Sequence, residues 1–272
     1  MDQIVIRPKG SSVQYWADFW RFRELLGFLA WRDLLVRYKQ TTVGLFWAVL
    51  RPLLAMMILT LVFRKFGNLP SGAAPYPAMV LCGLLPWQLF AASMSESGNS
   101  LVNSSSLVSK VFFPRLIVPV SSLISGCVDF LISLLLLFGL LLFYGYVPSS
   151  NLIFLPFFVL LAVAASLAVG VGLSALLVMY RDVRFVIPFV VQMGLYVSPV
   201  GMQSSVVPEA YRLLYSLNPL VGIIDGFRWS ILGDAYPLSL PSLAVSAGGV
   251  VLMLVGSVCY FRRVERFFAD II

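Results

Sequence analysis

"RDLLVRYKQTTVGLFWAVLRPLL", from Arg32 to Leu54, sets four cations, Arg32, Arg37, Lys39 and Arg51, at the approach to an otherwise lipid-soluble run. As far as Gln40 the stretch reads as an amphipathic helix. Trp31, Leu34, Leu35 and Tyr38 recur at helical spacing on one apolar face, while Arg32, Asp33 and Lys39 point the other way. Such a helix lies in the headgroup layer, its apolar face toward the acyl chains and its cations beside anionic lipid. The chain then turns around Thr41, Thr42 and Gly44 and enters the membrane at Phe46 and Trp47. Arg51, one turn further and directly before Pro52, costs about 3 kcal/mol in lipid unless it meets protein or water. Two readings stand for it: the side chain snorkels back to the interface, or it makes a functional contact inside.

The rest of the chain carries the same signature. Hydrophobic residues make up 60% and charged residues 11%, against roughly a quarter charged in soluble domains. This composition describes an all-α, multi-pass membrane protein. Its 272 residues hold several spans of about 20 apolar residues each, with little left for a soluble domain. A nucleotide-binding or catalytic domain, if the function needs one, must come from another chain. The net charge of +7 sits in loops between apolar runs, which is a membrane-orientation pattern, and no nucleic-acid partner is expected. Cys82, Cys127 and Cys259 are far apart in apolar surroundings and read as buried thiols. Without a single histidine, the commonest metal ligand and the commonest acid–base group are missing, and no metal site is expected. The first forty residues mix acids, bases and aromatics, unlike a cleavable signal peptide, so the N-terminus is expected to persist in the mature protein.

Uncharged runs place six spans: Phe46–Lys65, Pro77–Ser95, Pro119–Phe143, Leu152–Met179, Phe185–Val207 (broken near Ser198 and Pro199) and Leu243–Phe261. The chain thus divides into an N-terminal cytoplasmic segment (1–45), a six-span domain (46–262) and a short cytoplasmic tail (263–272). With both ends cytoplasmic, only Arg64, Lys65, Arg212 and Arg228 among the cations fall outside. Arg64 and Lys65 are the exception to a clean bias and read as snorkelling residues.

The opening stretch resembles the membrane-entry segment of permease subunits of type-2 ATP-binding-cassette exporters, especially those exporting O-antigen, teichoic acid or related polysaccharides. "PYPAMVLCGLLPWQLFAASMSESGNSLVNSSSLVSKVFFPRLIVPVSSL" (Pro75–Leu123) and "LNPLVGIIDGFRWSIL" (Leu217–Leu232) are similar to the same family in the expected order. The resemblance implies a coupling helix that docks into an ATPase subunit. Asn103, Ser104, Ser105, Ser106, Leu107, Val108, Ser109 and Lys110 occupy its place, with Arg32, Asp33, Arg37, Tyr38 and Lys39 as a neighbouring partner surface. From the residues alone, the serine-rich loop Glu96–Pro114 forms a short helix outside the membrane or an ordinary solvated loop.

Beyond the fifth span, Ser198–Pro241 carries five prolines around two short helix candidates, Glu209–Leu217 and Leu220–Leu232. At membrane depth such broken helices need protein or a water-filled cavity to satisfy their backbone. The resemblance implies re-entrant helices forming an outer gate, where Asp225 and Arg228, three apart, either pair on one face or merely offset their own desolvation. Sugar C–H faces stack on aromatic rings, making Trp87, Phe90, Phe138, Tyr196, Tyr211 and Trp229 candidates for a substrate path. The competing reading for each is an interface belt. Asp129, alone in the third span, needs a partner, and Arg51 is the one proposed from sequence.

No G-x-x-x-x-G-K-[ST] pattern occurs, and the glycines of "VGVGL" (Val169–Leu173) lie inside a span where they favour close packing. The chain is expected to bind no cofactor, with ATP and Mg held by the partner. What the resemblance implies is a homodimer with two ATPase subunits in a bacterial cytoplasmic (inner) membrane, moving a lipid-linked glycan. A drug or lipid exporter of the same broad class is the nearer alternative. A multispan glycosyltransferase is disfavoured because the loops Gly67–Tyr76 and Tyr144–Asn151 contain no Asp or Glu to serve as base or metal ligand.

Overall fold

A computed structural model of the chain describes residues 12–39, 44–67 and 74–268. Among these the regular structure is entirely helical. The turn expected at Thr41 and Thr42, the cations Arg7 and Lys9, and most of the first outer loop lie outside the described residues.

Two helices precede the first span, α1 (Ser12–Arg21) and α2 (Arg23–Lys39). Helix α1 is an addition to the sequence reading, although Tyr15, Trp16, Phe19 and Trp20 recur at helical spacing on one face. Tyr15 and Phe19 nevertheless pack on the end of the last span, where the Arg262 guanidinium lies 4.8 Å over the Tyr15 ring. The apolar face of α2 also differs from expectation. Leu29 and Ala30 are buried, Leu34, Leu35 and Tyr38 are half-buried, and Trp31 stays exposed beside Phe28. The helix faces two apolar surroundings, the protein body and the lipid, so one stripe does not describe it.

The next helices are α3 (Gly44–Thr60), α4 (Tyr76–Ala92), α5 (Gly98–Asn103), α6 (Ser105–Lys110), α7 (Ile117–Phe143), α8 (Leu155–Met179) and α9 (Val183–Val197). After α9 come α10 (Glu209–Tyr215), α11 (Pro219–Leu232) and α12 (Leu240–Val264). Among the described residues, five helical stretches are long and apolar enough to cross a bilayer: Phe46–Arg64, Tyr76–Asn103, Ile117–Phe143, Ser150–Met179 and Leu240–Phe267. The sixth, α9, has 15 residues and is about 22 Å long at 1.5 Å per residue, short of a hydrocarbon core of about 30 Å. It stops at Ser198, where the sequence placed its break, but residues 198–207 do not resume the span.

The second span corrects the sequence reading most. Instead of ending near Ser95, the helix widens into one π-turn at Ser93–Ser97 and runs on to Asn103. Ser93, Ser97 and Ser100 are buried there, with Ser97 against Gly170 of α8, where an added Cβ would sit 2.8 Å from the serine Cβ. Polar residues that looked like a loop are small enough to let two helices touch. The glycines of 169–173 thus serve close packing, with Gly172 meeting Ser257 of α12 in the same way.

Two cores organise the molecule. The larger runs through α4, α7, α8 and α11; the smaller gathers Leu29, Val108, Phe113, Ile117, Phe261 and Phe268 at the end that carries α1, α2 and α6. At α11 the packing is closest at Gly226, where an added Cβ would lie 2.0 Å from the ring of Phe158. That ring is boxed in by Phe157 and Trp229 at centroid distances of 5.2 and 6.5 Å. Gly226→Ala is therefore expected to cost about 1–3 kcal/mol by overpacking and to lower the thermal midpoint on fluorescence-detected size exclusion. Adding Phe158→Leu should restore most of it; an additive double mutant would contradict this packing account.

Candidate functional site

Three places gather the residues singled out from sequence. The first is a polar centre between α2, α7 and the π-turn. The Arg37 guanidinium pairs with Asp129 through one nitrogen and with Glu96 through another, and the Tyr38 hydroxyl donates to Asp129. Asp129 therefore has a partner, but it is Arg37, not Arg51. Arg51 is the nearer candidate in sequence because it lies within a span, whereas Arg37 reaches Asp129 only where α2 folds back onto α7. Glu96 was not recognised as a site residue. A π-turn adds a residue to the helical repeat and is frequent at functional sites; here the turn itself carries Glu96. Burial pulls the Arg37 guanidinium down, yet the Glu96 and Asp129 carboxylates more than offset this and hold it above the usual arginine value. Burial and the bond to Asp129 push the Tyr38 phenol up, so it donates as a neutral hydroxyl.

Cavities open on either side of this centre. One of about 370 Å³ lies toward Asp33, Asn99 and Asn103, and one of about 550 Å³ lies toward Trp47, Arg51 and Gln88. Among the described residues no carboxylate lies within ion-pairing distance of Arg51, which is exposed to the larger cavity. Arg32 bonds its neighbour Asp33 at 2.9 Å, and Lys39 is exposed at the end of α2.

The second place is α6. Asn103, Ser106, Ser109 and Lys110 face outward, Ser104, Ser105 and Leu107 are half-buried, and Val108 is buried in the smaller core. A short surface helix is thus present where the sequence left helix or loop open. It is seated by one apolar anchor and presents a polar face with no fixed charge except Lys110. The elbow that follows is pinned to the last span, since the Arg115 N–H donates to Glu265 Oε1 at 2.9 Å.

The third place is at the far end. Asn218 caps α11 by accepting from the Leu220 N–H at 3.1 Å, with Pro219 as the first helical residue. The pair expected from Asp225 and Arg228 does not form. Asp225 accepts instead from the Ser204 hydroxyl. Arg228, counted from sequence as an outer surface cation, is 1% exposed, and donates to the carbonyls of Met79 at 3.3 Å and of Val200 and Met202 at 2.8 Å each. Tyr76 adds a hydroxyl bond to the Gly201 carbonyl at 2.6 Å. Three side chains from α4 and α11 therefore clamp the turn that follows α9. A lone arginine in an apolar helix signals a buried task, but sequence cannot say that backbone carbonyls, rather than a carboxylate, will satisfy it. In Arg228→Met, hydrogen exchange over residues 200–204 is expected to speed at least tenfold, because each orphaned carbonyl costs about 1–3 kcal/mol. Exchange in α8 should not change, and unchanged exchange at the turn would show that the clamp is inert.

The aromatic candidates do not share one surface. Trp87 is buried against Gly194, Phe90, Phe138 and Trp229 pack partly against the larger core, and Tyr196 and Tyr211 are exposed at 59% and 61%.

Known proteins are similar in sequence to this chain along nearly its whole length. The O-antigen export system permease protein RfbA of Myxococcus xanthus is 28% identical over 254 residues, covering 92% of this chain and 96% of that protein. One from Klebsiella pneumoniae is 27% identical over 252 residues, with 92% and 95% covered. The polysialic acid transport protein KpsM of Escherichia coli is 21% identical over 243 residues, with 86% and 91% covered. The family model for the ABC-2 type transporter matches residues 24–232, a stretch that takes in the polar centre, α6 and the far-end clamp. The chain belongs to the ABC-2 type transporter family.

Proposed function

We propose that this chain is the membrane-spanning subunit of an ATP-driven exporter that carries a lipid-linked polysaccharide across the cytoplasmic membrane, ATP being hydrolysed on a separate subunit. The observation that carries the reading is the near full-length likeness to O-antigen export permeases, supported by the surface helix α6, seated on the smaller core at the end that carries α1 and α2. In this reading two copies of the chain form the path, and two ATPase subunits hold ATP and Mg. Closure of the ATPase dimer pushes on α6. The force passes to the smaller core through Val108 and to the span through the unbroken helix from Asn103 back to Tyr76. Asp225, Arg228 and the 200–204 turn then act as the hinge of the outer gate, and α2 lies at the cytoplasmic surface.

The direct test is purification of the tagged protein in mild detergent from its native host, with co-purifying chains identified by mass spectrometry. A stoichiometric ATP-binding-cassette subunit is expected. Recovery of the chain alone under every mild condition would sink the reading.

A further inference from the structure

We infer that the cavity of about 550 Å³ between α2, α3, α4 and α7 is a binding site for uncharged sugar units of the exported glycan. The inference rests on the exporter reading and adds to it a place and a ligand chemistry separate from the aromatic path candidates. Its volume lies in the range of small-molecule pockets, about 300–1,000 Å³.

Four observations define the ligand. The walls combine aromatic residues, Trp47, Tyr38 and Phe130, with polar ones, Gln88, Asp129 and Arg51. A sugar ring matches that mixture, since its C–H face stacks on aromatics while its hydroxyls both donate and accept. Secondly, the charges cancel: Arg37 and Arg51 face Glu96 and Asp129, so the cavity has no net charge with which to attract a phosphate. Thirdly, Arg51 sits seven residues into α3 with no carboxylate at ion-pairing distance among the described residues. A charge so placed needs water or a polar ligand, and its donors point to hydroxyl acceptors. Fourthly, Pro52 lacks the N–H that would close a helical bond to the Ala48 carbonyl. Both residues line the cavity, so the helix itself adds an acceptor to the wall. A hydrophobic drug or an acyl chain would leave these donors and acceptors unmatched, at about 1–3 kcal/mol for each buried group.

The lining takes in Arg37 and Tyr38 of α2 and Trp47 and Ala48 at the start of α3, and Trp47 is 53% exposed. In the exporter reading α2 lies on the side where the glycan is loaded.

The test uses the intact exporter in membranes of its native host, arrested with orthovanadate. The photoreactive residue p-benzoylphenylalanine is placed singly at Trp47, Gln88 or Ser133 in the cavity, at Tyr196 on α9, and at Val251 on the exposed side of α12. Adducts are read by periodate–hydrazide staining for sugar and by mass spectrometry. Sugar-bearing adducts are expected at positions 47, 88 and 133, at least tenfold above those at 251. With the photoprobe at 133, Gln88→Leu should reduce the adduct at least fivefold while leaving folded yield unchanged. Sugar adducts at 196 but not in the cavity would overturn this site and leave the exporter reading standing. Sugar-free polyprenyl phosphate or phospholipid adducts at the cavity positions would overturn the saccharide assignment. Sugar adducts at none of the five positions would count against the exporter reading itself, and the cavity proposal would fall with it.

Discussion

Arg37→Ala is expected to lower the thermal midpoint and the folded yield more than any other single substitution in the polar centre. The substitution leaves Glu96 and Asp129, which share one guanidinium, as two carboxylates facing each other in a partly closed cavity. Breaking a buried pair by removing one member costs about 3–5 kcal/mol. The three side chains keep between 29% and 39% of their surface accessible, so solvent screening places the effect at the lower end, about 3 kcal/mol. That is roughly a hundredfold in the folded-to-unfolded ratio. Thermal midpoint and monodisperse yield by size exclusion would report it. Arg37→Lys should fall between the two, because an ammonium lacks the planar fork that reaches both carboxylates. The diagnostic variant is the triple Arg37→Met, Glu96→Gln, Asp129→Asn, which removes every orphan charge and is expected to recover most of the stability. A wild-type midpoint for Arg37→Ala would mean that the centre holds nothing together.

The second large effect concerns α6. Ser106→Trp with Ser109→Trp adds bulk to the outward face and leaves the buried Val108 anchor in place. The pair is expected to weaken association with the ATPase subunit at least tenfold, about 1.4 kcal/mol, without altering the thermal midpoint of the isolated chain. Replacing 103–110 by a Gly/Ser linker should abolish association, but it also removes Val108 from the smaller core. The comparison of the two variants therefore separates docking from folding. Full ATPase recovery with both would show that the partner docks elsewhere.

The number and order of the apolar runs were legible because a span announces itself by about 20 residues without charge, and no alternative structure satisfies such a run in lipid. The two short helices after α9 were legible from their prolines and lie within two residues of α10 and α11. Helix α1 was legible as an amphipathic repeat of Tyr15, Trp16, Phe19 and Trp20, but its seat was not, because Tyr15 and Phe19 meet the last span in a contact between opposite ends of the chain. The continuation of α4 to Asn103 was hidden for a related reason. Serine reads as loop in a single sequence, and only the facing Gly170 makes a buried serine face favourable. Site charges followed the same division. That Asp129 needed a partner and that Arg228 lay in an apolar helix could be read directly. The identity of each partner depended on helices that meet only in the folded molecule, with Arg37 reaching back from α2 and the carbonyls of Val200 and Met202 coming from a turn.

Deleting the chain's coding sequence in the native host and asking where the lipid-linked glycan goes is the most direct test of the export reading. Glycan is expected to be synthesised normally and to accumulate on the cytoplasmic face of the inner membrane, absent from the cell surface, with export restored by the wild-type chain and not by the Ser106→Trp, Ser109→Trp pair. A surface glycan unchanged by the deletion would contradict export by this chain, and loss of its synthesis without intracellular accumulation would assign the chain to making the polymer rather than moving it.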